Sequence, residues 1–196
     1  MPSDLTQAEV KRVLEQAYTQ RADLEHKIQK VRAQAARTSF AEFCEYVIKD
    51  GETMGSIVLD DLHKEWIAHI NKYLPQPHAK IGIMSMFGSG KSTIISIALP
   101  LYLLGQNQNL RIALISNVVD NAERRVLACE DYIERDPDFR LVFPNVVPQK
   151  GSHWNAKSMR IVRQSFAPND SIETGGALTG IVGNRYDVIL LDDVCD

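Results

Sequence analysis

At 196 residues, with 44 % hydrophobic and 24 % charged residues, the chain has the core-forming content of one globular domain and is too short for two large ones. Its formal net charge of −3 excludes a broadly basic surface, so any contact with nucleic acid would need a local basic patch. The 3 cysteines, Cys44, Cys129 and Cys195, are odd in number and lack C-x-x-C spacing, which argues against a disulfide framework or structural zinc and for a reduced intracellular protein. The N-terminus is polar and charged rather than basic-then-apolar, so no signal peptide is expected. The longest apolar run, Ile94–Leu104, is too short to span a bilayer and is interrupted by Pro100.

From Thr6 to about Arg37 the sequence is charged and helix-favouring. Val10, Ala17, Leu24 and Val31 recur at heptad spacing, as do Leu14, Ile28 and Ala35, with Arg21 breaking the second series. This predicts a long amphipathic helix suited to a coiled-coil contact or to docking on a neighbour; a solvated arm is the alternative. A second helix is expected from Phe40, carrying Phe43, Tyr46, Val47 and Ile48, then a loop over Asp50–Ser56. A third spans Leu59–Tyr73, with Leu62, Trp66, Ile70 and Tyr73 on one face and Pro75 and Pro77 closing it.

Ile81–Ile95 reads IGIMSMFGSGKSTII: a buried strand, a Gly/Ser turn and the start of a helix. Arg111–Ser116 is a nearly all-apolar strand of the kind a parallel sheet covers on both faces. Asn117–Glu134 is predicted helical through Ala122, Val126, Cys129 and Ile133, and Asp136–Gln149 Pro-rich and irregular. Met159–Gln164 reads as a strand, Gly175–Asn184 as a Gly-rich loop, and Tyr186–Leu191 as a last strand running into Asp192 and Asp193. Strands alternating with helices indicate an α/β domain with a parallel sheet and flanking helices.

Two of these segments carry chemistry. Ser85, Met86, Phe87, Gly88, Ser89, Gly90, Lys91, Ser92 and Thr93 fit a phosphate-cradling P-loop, in which backbone N–H groups and a helix N-terminus converge on phosphate oxygens. Lys91 would reach the outer phosphates of ATP and the Ser92 hydroxyl would bind Mg²⁺. The pattern wants glycine where Ser85 stands, and an ordinary surface turn is the plainer reading. The second segment ends a buried strand in two carboxylates, which is costly unless they enter a site with a cation or proton to manage. Asp192 is assigned to the metal and Asp193 to the base that polarises the attacking water. With Asp196 these acids also resemble the carboxylate set of a two-metal nuclease, although such nucleases gather their acids from several elements.

Taken together, the SMFGSGKST loop, Leu62-His63-Lys64-Glu65-Trp66, LPLYLLG followed by LRIALIS, Phe143-Pro144, Trp154 and GALTGIVGNRYDVILLDD resemble the ATPase domain of the large terminase subunit, the DNA-packaging motor of tailed bacteriophages. The likeness runs from about Phe40 onward. A loop lacking its first glycine and a double Asp both occur in that family. The resemblance implies a P-loop NTPase of the additional-strand class, with residues 1–38 as a helical arm and 39–196 as the ATPase domain. It also implies double-stranded DNA, a portal on a procapsid and a small terminase subunit as partners, a homo-oligomeric ring, and a place in the host cytoplasm.

Two departures bear on those expectations. The in-loop arginine of many members is replaced here by Met86 or Phe87, which makes Arg185 the candidate arginine finger toward a neighbouring subunit, unless it is a salt-bridged turn residue. The strand that follows the acids in that class, its coupling motif and the nuclease domain are not in this sequence, so a gap between the loop strand and the acid strand is expected, and with it a fragment or split gene with weak ATPase activity. Fainter signals are His63, Lys64 and Trp66 near an adenine, Gly175, Gly176, Gly180 and Gly183 in a loop beside a DNA channel, and Arg124 and Arg125 toward DNA phosphates. Core or solvent positions explain each of these as well. A helicase-like DNA-dependent ATPase and an inactive nucleotide-binding scaffold module are the competing functions.

Overall fold

The computed structural model describes residues 7–176 and 184–194, so Gly180, Gly183, Cys195 and Asp196 lie outside the described residues. It is a mixed α/β fold in which a five-stranded sheet carries helices around it. The helical half comprises α1 (Gln7–Thr38), α2 (Phe40–Val47), α3 (Asp61–Tyr73) and α4 (Leu99–Gln106), the last preceded by a π-helical segment at Thr93–Ala98. The sheet half comprises β1 (Ile112–Ser116), α5 (Val119–Arg135), α6 (Pro137–Val142), β2 (Trp154–Asn155), β3 (Ser158–Met159), β4 (Ile172–Gly176) and β5 (Val188–Asp192). None of the helices among the described residues is long and apolar enough to cross a membrane.

Local chemistry explains several of the boundaries. Asp60 caps α3 through a bond from the His63 N–H at 3.0 Å, and Asp136 caps α6 through Phe139, with Pro137 in the first turn. The Asp136–Gln149 stretch is therefore not wholly irregular: its proline starts a helix instead of breaking one. Pro100 likewise does not end the helix that begins at Lys91. Its ring would clash with the carbonyl four residues back, and the widened π turn just upstream, closed by the Leu99 N–H on the Ile94 carbonyl, takes up that strain.

The strand order is β2-β3-β4-β1-β5. β1 is buried along its whole length and pairs in parallel with β4 on one side and β5 on the other. The sheet is not wholly parallel, because β2, β3 and β4 extend it in antiparallel fashion. Two further expectations change. Gly175 and Gly176 are not loop residues but the end of β4, opposite Ile115 and Ser116. The predicted strand over Met159–Gln164 shrinks to Ser158–Met159 plus a single bridge at Ile161.

The N-terminal ends of β1 and β5 are tied by Arg111, whose guanidinium donates to both carboxylate oxygens of Asp187 at 2.9 and 2.8 Å. That fork holds the Asp187 carboxyl below the usual carboxylate range. A depressed folded pKa contributes stability above the unfolded value, and loses it as pH falls through the folded one.

The core is aromatic on the helical side. Phe40, Phe43, Tyr102, Phe139 and Phe143 from α2, α4, α6 and the residue after α6 pack ring to ring at 5.2–6.3 Å. Gly105 permits that packing, since a Cβ there would lie 2.3 Å from the Phe143 ring. Cys44 and Cys129 are buried free thiols; burial pushes the Cys44 thiol up to about 12, so both serve as small apolar side chains.

Candidate functional site

The glycine loop and the double aspartate, remote in sequence, meet at the C-terminal end of β5. The Lys91 ammonium donates to Asp193 Oδ1 at 2.7 Å across a separation of 102 residues. The neighbouring Ser92 hydroxyl donates to Asp192 Oδ1 at 3.0 Å. Lys91 and Ser92 are the first turn of the helix that runs into α4, so their placement follows from where that helix packs against β5 and α5.

The loop makes its turn through two left-handed glycines, Gly88 at φ 78° and Gly90 at φ 76°, a conformation that side chains with a Cβ resist. Ser85 and Ser89 share a hydrogen bond between hydroxyls at 2.8 Å, and the Ser89 N–H reaches the Met86 carbonyl at 3.4 Å. Met86 and Phe87 project fully into solvent, and Thr93 opens the π segment, half-buried.

One expectation fails here. The run before the loop is not a buried strand. Residues 81–86 alternate between half-buried and exposed, Met84 is 95 % exposed, and none of them joins the sheet. An apolar run becomes a buried strand only when a neighbour takes up its N–H and C=O groups, and no described strand does so. The expected arrangement of two strands flanking a gap is likewise not formed: β5 is an edge strand, with Ile189 and Leu191 turned outward.

Asp192 and Asp193 occupy very different environments. The Asp192 side chain is 7 % exposed, while that of Asp193 is 66 % exposed on a backbone at φ 48°. A left-handed Asp is tolerated, and the Asn117 N–H holds its carbonyl at 3.3 Å. This turn swings the second carboxylate out of the strand and over Lys91.

Arg125 on α5 is a site neighbour that spacing alone did not place. Its Nε lies 3.7 Å from Asp192 Oδ2 and is buried without a hydrogen-bond acceptor. The register Ser116↔Asp192 explains it, because α5 starts just after β1 and so begins beside the end of β5. Arg124 is exposed. Arg185 is exposed too and precedes β5, at the end of the strand away from Asp192.

His63 also enters the site. Its Nε2 lies 2.8 Å from the Ser89 carbonyl, and a carbonyl only accepts, so Nε2 carries the proton. Nδ1 lies 3.3 Å from the Asp60 N–H and 2.8 Å from the Asp60 carboxylate. His63 is thus a brace between the start of α3 and the loop, and Gly90 packs against it. Trp66 is buried core and Lys64 is exposed. If the loop holds a nucleotide, His63→Ala should leave the fold intact and weaken that binding about three- to tenfold by freeing the loop, since one lost hydrogen bond is worth about 1 kcal/mol. Titration with a fluorescent ATP analogue measures this, and an unchanged affinity would remove the brace from the account.

The donor set suits a hard divalent cation. One carboxylate and one hydroxyl, brought within 3.0 Å of each other, match the way Mg²⁺ is held together with phosphate oxygens and water. The described residues contain no group of three or more His, Cys, Asp or Glu able to hold a metal by themselves, so a cation at Ser92 and Asp192 would need further ligands from outside the protein. No family model matches this chain, and no curated protein matches it either.

Proposed function

We propose that the junction of Lys91, Ser92, Asp192 and Asp193 is the Mg²⁺–ATP site of a P-loop NTPase, and that the chain is the ATPase portion of a large-terminase-type motor that translocates double-stranded DNA into a procapsid. The observation that carries the reading is the pairing of loop end with strand end, Lys91 to Asp193 and Ser92 to Asp192. A mere surface turn has no reason to bring its lysine and serine onto two adjacent carboxylates about a hundred residues away.

In this reading Lys91 exchanges Asp193 for the outer phosphates when ATP arrives. The released Asp193 carboxylate then orients a water and accepts its proton as the water oxygen attacks the γ-phosphorus; the bond to the β–γ bridging oxygen breaks, and ADP and phosphate leave. Ser92 and Asp192 would hold Mg²⁺, which supplies charge neutralisation on the phosphates. Gly88, Ser89 and Gly90 present backbone N–H groups to the phosphates. In this reading Arg185, at the far end of β5, is a finger offered to a neighbouring subunit in a ring; a plain turn residue is the alternative. The portal, the small terminase subunit and a cytoplasmic setting in the host come with the resemblance in sequence.

Phosphate release from ATP, measured with and without duplex DNA, tests the motor half of the proposal. Turnover that rises several-fold with DNA is expected. Turnover indifferent to DNA would leave a nucleotide-binding module without a motor role.

A further inference from the structure

The free part of α1 has no cover. Every described side chain from Gln7 to Arg32 is exposed, and only Ala33 and Ala36 near its end are buried in the body. Along this exposed stretch Leu14, Arg21 and Ile28 alternate with Val10, Ala17, Leu24 and Val31 at the four-three spacing of a two-stranded coiled-coil seam. Leu24 is 59 % and Val31 70 % exposed, so the seam is apolar surface in water.

We propose that this seam pairs with α1 of a second copy of this chain, as an antiparallel, two-fold symmetric coiled coil centred near Thr19. Size complementarity selects the register. About that centre, Leu14 faces Leu24 of the second copy and Ile28 faces Val10. Arg21 faces Ala17, whose methyl leaves its stem room to reach Glu25 of its own chain, already 2.8 Å away. Charge selects the direction. Antiparallel packing sets Lys11 beside Glu25 of the second copy, twice by symmetry, and lays the Lys27 stem over Val13. Parallel packing would stack Arg21 on Arg21 and place Lys27 beside Arg32, like charges at both contacts. The body is attached at the C-terminal end of α1, so an antiparallel pair also keeps the two bodies at opposite ends. This inference stands apart from the nucleotide reading, since it uses none of that site's residues.

Sedimentation of the whole chain over a concentration series up to hundreds of micromolar tests it. A reversible dimer is expected, and Leu24→Asp should raise its dissociation constant at least about tenfold while the circular dichroism of the body is retained. Direction is read by oxidising Leu14→Cys and Leu24→Cys chains, separately and mixed, with the parent chain as the control for its own cysteines. A crosslink that forms only in the mixture supports the antiparallel register. A monomer throughout, a dimer indifferent to Leu24→Asp, or a crosslink in the Leu14→Cys chain alone would overturn it.

Discussion

Lys91→Ala is expected to weaken ATP binding about 10- to 100-fold and to abolish measurable phosphate release, with a shift in Tm of no more than about 3 °C. Charge-assisted hydrogen bonds to phosphate contribute about 1.5–3 kcal/mol, and each 1.4 kcal/mol is about tenfold in affinity. The small thermal effect follows from what Lys91 does without nucleotide. Its partner Asp193 is 66 % exposed, and such a pair contributes roughly 0–1 kcal/mol to folding. Parallel ATP titration and thermal melts check both halves. Unchanged ATP affinity in the folded variant would mean that the lysine serves only its ion pair.

Phe43→Ala carries the largest expected cost to the fold, about 3–5 kcal/mol, enough to consume much of the 5–15 kcal/mol typical of a domain. Phe43 is fully buried, with Tyr102, Phe143 and Phe139 around it at 5.5, 5.7 and 6.3 Å between ring centroids. Interiors packed this closely relax only in part around a lost ring, so a cavity opens between α2, α4 and α6. The consequence reaches the site, because Tyr102 sits on α4, the continuation of the helix whose first residues are Lys91 and Ser92. Urea unfolding of the variant checks the value. A loss below about 1 kcal/mol would show that the aromatic cluster is peripheral to stability.

Where the sequence pattern was local, it was a sound guide. Pro75 follows the end of α3, the apolar run at 111–116 becomes β1, and the spacing of Ala122, Val126, Cys129 and Ile133 marks the buried face of α5. The meeting of Lys91-Ser92 with Asp192-Asp193 was also legible, because a glycine loop before a helix and two acids after a strand each point to the same chemistry.

Most of what escaped depended on partners distant in the chain; the cap at Asp136 is the local exception. Whether 81–86 is a strand is decided by a neighbouring strand, and apolarity alone cannot supply one. Gly175 and Gly176 belong to β4 because β1 lies beside them, although glycine carries no strand signal of its own. Pro137 reads as a breaker until Asp136 is seen as its cap. Arg125, read toward DNA phosphates, and His63, read near an adenine, owe their contacts with Asp192 and Ser89 to strand register and to the packing of the loop on α3, neither of which is written in spacing.

In the proposed reading, loop and strand end form one site for Mg²⁺ and nucleotide. The measurement that tests it most directly is ATP affinity as a function of Mg²⁺ in the parent chain and in Asp192→Asn. Mg²⁺ is expected to tighten ATP binding in the parent, and this gain is expected to be lost in Asp192→Asn, whose amide keeps the shape of the carboxylate but not its charge. ATP binding indifferent to Mg²⁺, or a Mg²⁺ gain that survives the substitution, would contradict it.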